Sequence, residues 1–294
     1  MEPVFNTVAI VGPGLVGGSL GAAIRERGLA KRVIGIGRRE TSLQEALSVS
    51  AVDETTLDLR KGVHEADLVV LATPISAFGQ VVGEASASMK EGAILTDVAS
   101  TKQHVIKVIT AALKHRQDIV YVPAHPMAGG ERRGAASADA NLFEGSPCIL
   151  TPLPETPQDE LNRVRELWKS VGATVHVMDS KEHDRLVARI SHLPHLAAAA
   201  LLETICAGEG EMAGGGLTDT TRVASGDPAL WRGICETNAG EICSALEAYA
   251  GVLERIRALI AGGEFDEVEE LLRDAKKRRD DLLASREVRD EQRQ

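Results

Sequence analysis

Apolar residues follow two different rhythms along this chain. Up to about Met178 they come in short, nearly continuous runs, at residues 8–11, 33–36, 68–72, 94–97 and 119–122. Runs of this length, rich in β-branched residues, are how strands buried on both faces of a parallel sheet read. Their ends are spaced by 25, 36, 25 and 25 residues. Each interval holds one strand and the crossover helix that a parallel connection requires. The wider gap leaves room for a further short strand around residues 51–56. The pattern predicts a doubly wound parallel sheet of the α/β class. Residues 147–178 read as an appendix to it, with strands at 148–151 and 174–178 flanking a helix over 158–171.

After Asp179 the strand rhythm stops and helical spacing with glycine-rich joints takes over. Asp227-Pro228 is an N-cap followed by proline in the first helical position, opening a helix over 229–238. From Ile242 the positions Leu246, Tyr249, Leu253, Ile256 and Ile260 share one face of a long helix closed by Gly262-Gly263. Val268, Leu271, Leu272 and Ala275 continue as a second amphipathic stretch. Charge is so dense from Lys276 onward that an exposed helical tail fraying into disorder is expected. At roughly 150 residues per domain, 294 residues imply two. The change of rhythm divides them into 1–178, an α/β domain, and 179–294, all helical.

Charge and composition narrow the function classes. Thirty-three Lys and Arg against 43 Asp and Glu leave a net charge of −10, which argues against nucleic acid or an anionic membrane as partner. The uncharged stretches 93–101 and 193–202 fall far short of the ~20 residues that span a bilayer. Residues 1–7 show no basic region followed by an apolar one, so no export signal is expected. Cys148, Cys206, Cys235 and Cys243 lack C-x-x-C spacing and sit in otherwise apolar segments. They are expected to be buried thiols in a reducing cytoplasm, with no zinc site or disulfide frame.

The first apolar run leads into Gly12-x-Gly14-x-x-Gly17 and then into a helical pattern, the context that makes this motif a dinucleotide fingerprint. Gly12 permits the tight turn, Gly14 lets backbone approach a pyrophosphate, and Gly17 allows close helix packing. Leu15 and Val16 complete the loop. At the end of the second strand, where NAD-binding chains carry a carboxylate for the ribose, Gly37-Arg38-Arg39 stands instead. A glycine leaves room and arginines pair with a 2′-phosphate, so NADP is favoured over NAD.

In an open parallel sheet, ligands sit at the carboxyl ends of the strands. Thr73-Pro74, the loop with Ser100, and the segment from His125 to Glu131 must share that rim with the glycine loop. Ser100 and His125 then fall near the nicotinamide, where a histidine is a natural acid/base. His64, His104, His115, His176 and His183 are read as structural. A second cluster, Ser191, His192 and His195, precedes an Ala/Leu-rich helix with Pro194 in its first turn, a favourable N-terminus for an anion. A third segment, residues 214–222, places Arg222 just inside a helix with a glycine-rich, Asp-capped start.

Taken together, GPGLVGGSL, TDVASTK, AHPMAGGE, ISHLPH and GGGLTDTTRVASGDPALW resemble the prephenate and arogenate dehydrogenases of tyrosine biosynthesis. The likeness runs from about Val8 to Leu272. It implies a Rossmann-type first domain, a helical second domain through which two subunits associate, and an NAD(P)-dependent oxidative decarboxylation. By the resemblance His125 takes the hydroxyl proton with Ser100 beside it, and Arg222 and His195 hold substrate carboxylates. Ser191, Gly215, Asp219 and Trp231 line or support that pocket, and no metal is needed.

Two departures stand out: Gly37 replaces the acidic residue of NAD-using members, and Gly130 replaces a hydroxyl residue of many. Neither a chorismate mutase segment before the glycine loop nor a regulatory domain after the helices is expected. The alternatives are arogenate as substrate, another Rossmann dehydrogenase of a hydroxyacid or imine, and a non-catalytic dinucleotide-sensing dimer.

Overall fold

The computed structural model describes residues 3–130, 134–206 and 208–291. Six parallel strands form one sheet: β1 (Phe5–Val11), β2 (Ala30–Ile36), β3 (Glu54–Thr56), β4 (Leu68–Leu71), β5 (Ile94–Asp97) and β6 (Val120–Val122), in the order β3-β2-β1-β4-β5-β6. The order reverses between β1 and β4, which is where doubly wound sheets open a crevice for ligands.

Alternation along the strands fills both faces. Val8 and Ile10 of β1, Val33 of β2 and Leu68 and Val70 of β4 join a core with α1 (Leu15–Glu26), α2 (Glu40–Ser48) and α6 (Gln158–Ser170), the last contributing Leu167 and the buried Trp168. Ala9, Val11, Ile34, Ile36, Val69 and Leu71 face the other way. They pack on α3 (Leu59–Val63), α4 (Phe78–Ser86) and α5 (Gln103–Leu113).

A second sheet of three short strands extends the first: β7 (Ala124–Pro126), β8 (Pro147–Leu150) and β9 (Thr174–Val177). β8 runs antiparallel to β7, pairing His125 with Ile149, and parallel to β9. β7 is absent from the sequence reading, because three residues ending in proline carry too little pattern to register as a strand.

The helical half comprises α7 (Ser180–Val187), a π-helical turn (Ala188–His192), α8 (Leu193–Glu203), α9 (Gly215–Thr221) with a 3-10 turn (Arg222–Ser225), α10 (Pro228–Thr237), α11 (Ala239–Gly262) and α12 (Phe265–Glu291). Asp227 caps α10 as expected, accepting from the N–H of Ala229. The charged stretch from Lys276 onward is an exposed helix as expected, the continuation of α12, which runs to Glu291.

By contact the chain forms two compact units, residues 1–239 and 240–294, and the expectations for the cysteines and for Asp219 are corrected. Residues 180–238 stay with the sheet because Asp184 accepts the backbone N–H groups of Lys102 and Gln103 at the start of α5, and the hydroxyls of Thr101 and Thr237 meet at 2.9 Å. Cys206 and Cys243 are exposed, one beyond the end of α8 and one on α11, while Cys148 is buried and Cys235 half-buried. Asp219 does not cap a helix: α9 already starts at Gly215, and Arg222 falls at its C-terminal end.

Candidate active site

The glycine loop is built to receive an anion. Gly12 has φ of +90°, open to glycine at little cost. A Cβ on Gly17 would lie 2.6 Å from the carbonyl of Gly12 and 2.7 Å from the Ala72 methyl, whereas around Gly14 there is open space within 4 Å. No side chain caps the N-terminus of α1, and its first turn holds no acidic residue, so backbone N–H groups remain for a phosphate. Leu15 and Val16 begin this helix, half-buried. At the end of β4 the hydroxyl of Thr73 is buried without a partner among the described residues, and Pro74 beside it is exposed. An orphan hydroxyl of that kind at the ligand edge of the sheet fits a cofactor contact.

Arg38 and Arg39 are exposed at the end of β2. A Cβ on Gly37 would come within 2.9 Å of the side chain of Leu43, which is buried on α2. Glycine here therefore has a packing reason as well as leaving room for a phosphate.

At the far side of the rim a chain of buried polar groups forms. His125 of β7 is 6% exposed, and its Nδ1 lies 2.8 Å from Nε2 of His183 on α7. Nδ1 of His183 lies 2.8 Å from Oδ1 of Asp184. Asn238 donates to the Asp184 carbonyl at 2.9 Å, and its amide nitrogen is 3.3 Å from Nδ1 of His192. The His192 ring meets Trp231 edge-on at 6.0 Å, and Trp231 stacks on His195 at 3.5 Å and 10°. The first and second sequence clusters are thus joined in one line. Gly226 is part of the stack, since a Cβ there would fall 2.4 Å from Trp231 Nε1 and 2.7 Å from His195.

Burial, followed by the neighbouring His183 and Lys102, holds His125 well below the ordinary histidine range. Burial likewise lowers His183, opposed by Asp184, and brings His192 down to about 4. For Asp184 burial works against the charge, but hydrogen bonds from His183 and the N–H groups of Gln103 and Lys102 outweigh it and hold the carboxyl low.

Behind this line lies an ion pair with no exposure. Lys102 Nζ donates to Asp97 Oδ1 at 2.5 Å and to the Ala124 carbonyl at 2.6 Å. Tyr121 donates its hydroxyl to Asp97 Oδ2 at 2.7 Å. The lysine is tied to the backbone beside His125, with its ammonium already partnered.

The remaining candidates are more peripheral in the single chain. Ser100 and Ser191 are half-buried, while Gly215, Asp219 and Arg222 stand exposed. Their link to the line is packing: α9 and the 3-10 turn beginning at Arg222 both rest on α8. The expected anion site at the start of α8 is corrected. Helical backbone runs without a break from α7 through the π turn, with His192 at φ −72° and ψ −47°. The N–H groups at that start face preceding carbonyls. Glu131 lies outside the described residues. His183, read from sequence as structural, is a member of the line; the adjacent His183-Asp184 pair was its one visible signal.

Among the described residues no group of three His, Cys, Asp or Glu could hold a metal, and no helix is long and apolar enough to cross a membrane. Residues 20–177 match the family model of the prephenate dehydrogenase nucleotide-binding domain, and residues 179–274 that of the prephenate dehydrogenase dimerization domain. The chain is similar to the cyclohexadienyl dehydrogenase of Zymomonas mobilis, 31% identical over 97% of this chain and 99% of that one. Among solved structures it resembles Aquifex aeolicus prephenate dehydrogenase in complex with hydroxyphenyl propionate and NAD+, at TM-score 0.87 and 31% identity, covering 94% of this chain and 98% of that one. It also resembles Synechocystis arogenate dehydrogenase, at TM-score 0.81 and 29% identity, covering 94% and 99%.

Proposed function

Because the chain belongs to the prephenate dehydrogenase family, we propose that it oxidises prephenate to 4-hydroxyphenylpyruvate with loss of carbon dioxide, in cytoplasmic tyrosine biosynthesis. The observation that carries this reading is His125, a buried histidine kept neutral on β7, the strand that follows β6 of the sheet whose glycine loop leaves an uncapped helix N-terminus. A bound nicotinamide dinucleotide supplies the hydride acceptor. His125 takes the proton of the ring hydroxyl as its carbon loses hydride, and Ser100 hydrogen-bonds the same hydroxyl or the histidine. Carbon dioxide then leaves from the opposite ring carbon as the ring becomes aromatic, so the protein's remaining task is to hold a dianion. Arg222 and His195 are its carboxylate partners, with Ser191, Gly215, Asp219 and Trp231 shaping the pocket.

Absorbance at 340 nm with prephenate and with arogenate, each with NAD and with NADP, tests the reading. Prephenate-dependent turnover supports it; turnover with arogenate alone moves the assignment to that substrate. Reduction by neither, despite tight dinucleotide binding, leaves a non-catalytic sensor.

For the cofactor we propose NADP ahead of NAD. Gly12, Gly14, Leu15, Val16, Gly17, Thr73, Pro74 and Ser100 serve either dinucleotide. At Gly37 no carboxylate repels a 2′-phosphate, and Arg38 and Arg39 offer charge-assisted donors for it. NADP is expected to be used at least as efficiently as NAD, and Arg38→Ala to reduce kcat/KM for NADP the more. A preference for NAD of about tenfold or more, with Arg38→Ala acting equally on both, would mean that Arg38 only stacks on adenine.

We further propose that residues 179–294 act as the substrate-binding and dimerisation half. Val252, Leu253 and Ile260 of α11 and Leu272 of α12 are about half exposed or more in the single chain, and contiguous apolar surface of this kind marks an interface. Sedimentation at micromolar concentration should give a homodimer; a species of one chain's mass throughout that range would contradict it.

A further inference from the structure

We propose that His183 and Asp184 are positioning residues that fix His125 as the tautomer with hydrogen on Nδ1, leaving Nε2 bare to take the proton. The inference deepens the function proposed above and rests on it for the identity of that proton. Its logic starts at the carboxylate. Asp184 accepts backbone N–H groups on both oxygens, from Lys102 at 2.7 Å and Gln103 at 2.9 Å. It is held as an anion and has no hydrogen to offer, so the 2.8 Å contact with His183 is filled by hydrogen on His183 Nδ1.

A neutral His183 with hydrogen on Nδ1 has a bare Nε2. The 2.8 Å contact between that Nε2 and Nδ1 of His125 then needs its hydrogen from His125, whose remaining lone pair is on Nε2. The opposite arrangement requires a doubly protonated His183. Burial opposes it, and so does the Lys102 ammonium nearby. The other groups around His125 are Lys102, paired with Asp97 and backed by Tyr121, the Cys148 thiol, which burial keeps protonated, and the lowered His192. None of them is placed as a hydrogen-bond acceptor for His125 among the described residues.

During turnover the substrate O–H bond breaks and an N–H bond forms at His125 Nε2. The resulting imidazolium donates its Nδ1–H to His183, whose basicity Asp184 raises, and the Nε2 proton passes to solvent after product leaves. A wrong tautomer in a comparable triad drops turnover by about 10⁴. Here the acceptor is a neutral ring, so a smaller loss is expected.

His183→Leu removes the acceptor. It should lower kcat about 10- to 100-fold with little change in KM. His183→Gln offers an amide carbonyl to the same Nδ1–H and should restore part of the loss. Turnover within about twofold of wild type in His183→Leu, or a loss that His183→Gln does not relieve at all, would overturn the proposal. A readout independent of turnover is the ring ¹⁵N spectrum of histidine-labelled full-length protein, with His125 identified by its absence in His125→Asn. Hydrogen on Nδ1 in the wild type, lost in His183→Leu, is expected; hydrogen on Nε2 in the wild type overturns the proposal. Should neither prephenate nor arogenate be oxidised, the function fails while the spectrum still decides the tautomer.

Discussion

Replacing His125 by asparagine is expected to lower turnover ~10²–10⁴-fold, the usual contribution of a lost general base, with substrate KM little changed. Asparagine keeps a polar group of similar reach on β7 but cannot accept the hydroxyl proton and carry it. Steady-state rates at saturating substrate make the measurement, and a variant keeping more than about a tenth of wild-type turnover would remove His125 from the role. The pH profile of the wild type supplies a second check. The base acts as neutral imidazole, and its burial, with His183 and Lys102 beside it, pushes protonation to more acid solution. Turnover should therefore persist below pH ~6.5, where an ordinary histidine is half protonated. An acid limb at or above that pH would contradict the assignment.

Asp97→Ala is expected to cost stability heavily. The carboxylate pairs with Lys102, and both side chains have no exposure at all; the same group accepts from Tyr121 and from the N–H of Ala99. Removing one partner of such a pair leaves a buried ammonium uncompensated, at about 3–5 kcal/mol. Urea unfolding at fixed protein concentration should show a loss of that order, and the double change Asp97→Leu with Lys102→Met should recover most of it, because the unpaired charge is gone. A single variant within about 1 kcal/mol of wild type would mean that the pair contributes little.

What could be read from the sequence divides along physical lines. Strands β1, β2, β4, β5 and β6 announced themselves because each is apolar on both faces, and the helix over residues 158–170 because Leu161, Val164, Leu167 and Trp168 recur on one side. The glycine loop was legible for the same reason: its chemistry is local, contained in six consecutive positions. His183 was not, because its meaning depends on His125, far away in sequence on β7 and brought near only by the folded sheet and α7. The Asp97, Lys102 and Tyr121 network was hidden likewise, its members spread over β5, the loop after it and β6. Cys206 and Cys243 were misjudged from apolar neighbours, which say that a helix has an inner face without saying which residues occupy it. The expected anion site at Pro194 failed because proline in a first turn and proline within a continuous helix look alike in sequence.

The π turn at Ala188–His192 makes part of this chemistry depend on counting. Pro194 has no N–H for the carbonyl of Ile190, and the helix widens just ahead of it. A widened turn holds a residue more than a regular one, so it acts as a phase adjuster between the half of the rod that carries His183 and the half that carries His195. Wound as regular helix, the same residues would turn everything downstream by about 100°, one residue's share of a 3.6-residue turn. His195 would then swing away from Trp231 with every named side chain still present. A chain one residue shorter between His183 and His195 keeps the two histidines in phase only on a regular helix, so the spacing of the motif and the shape of this turn go together.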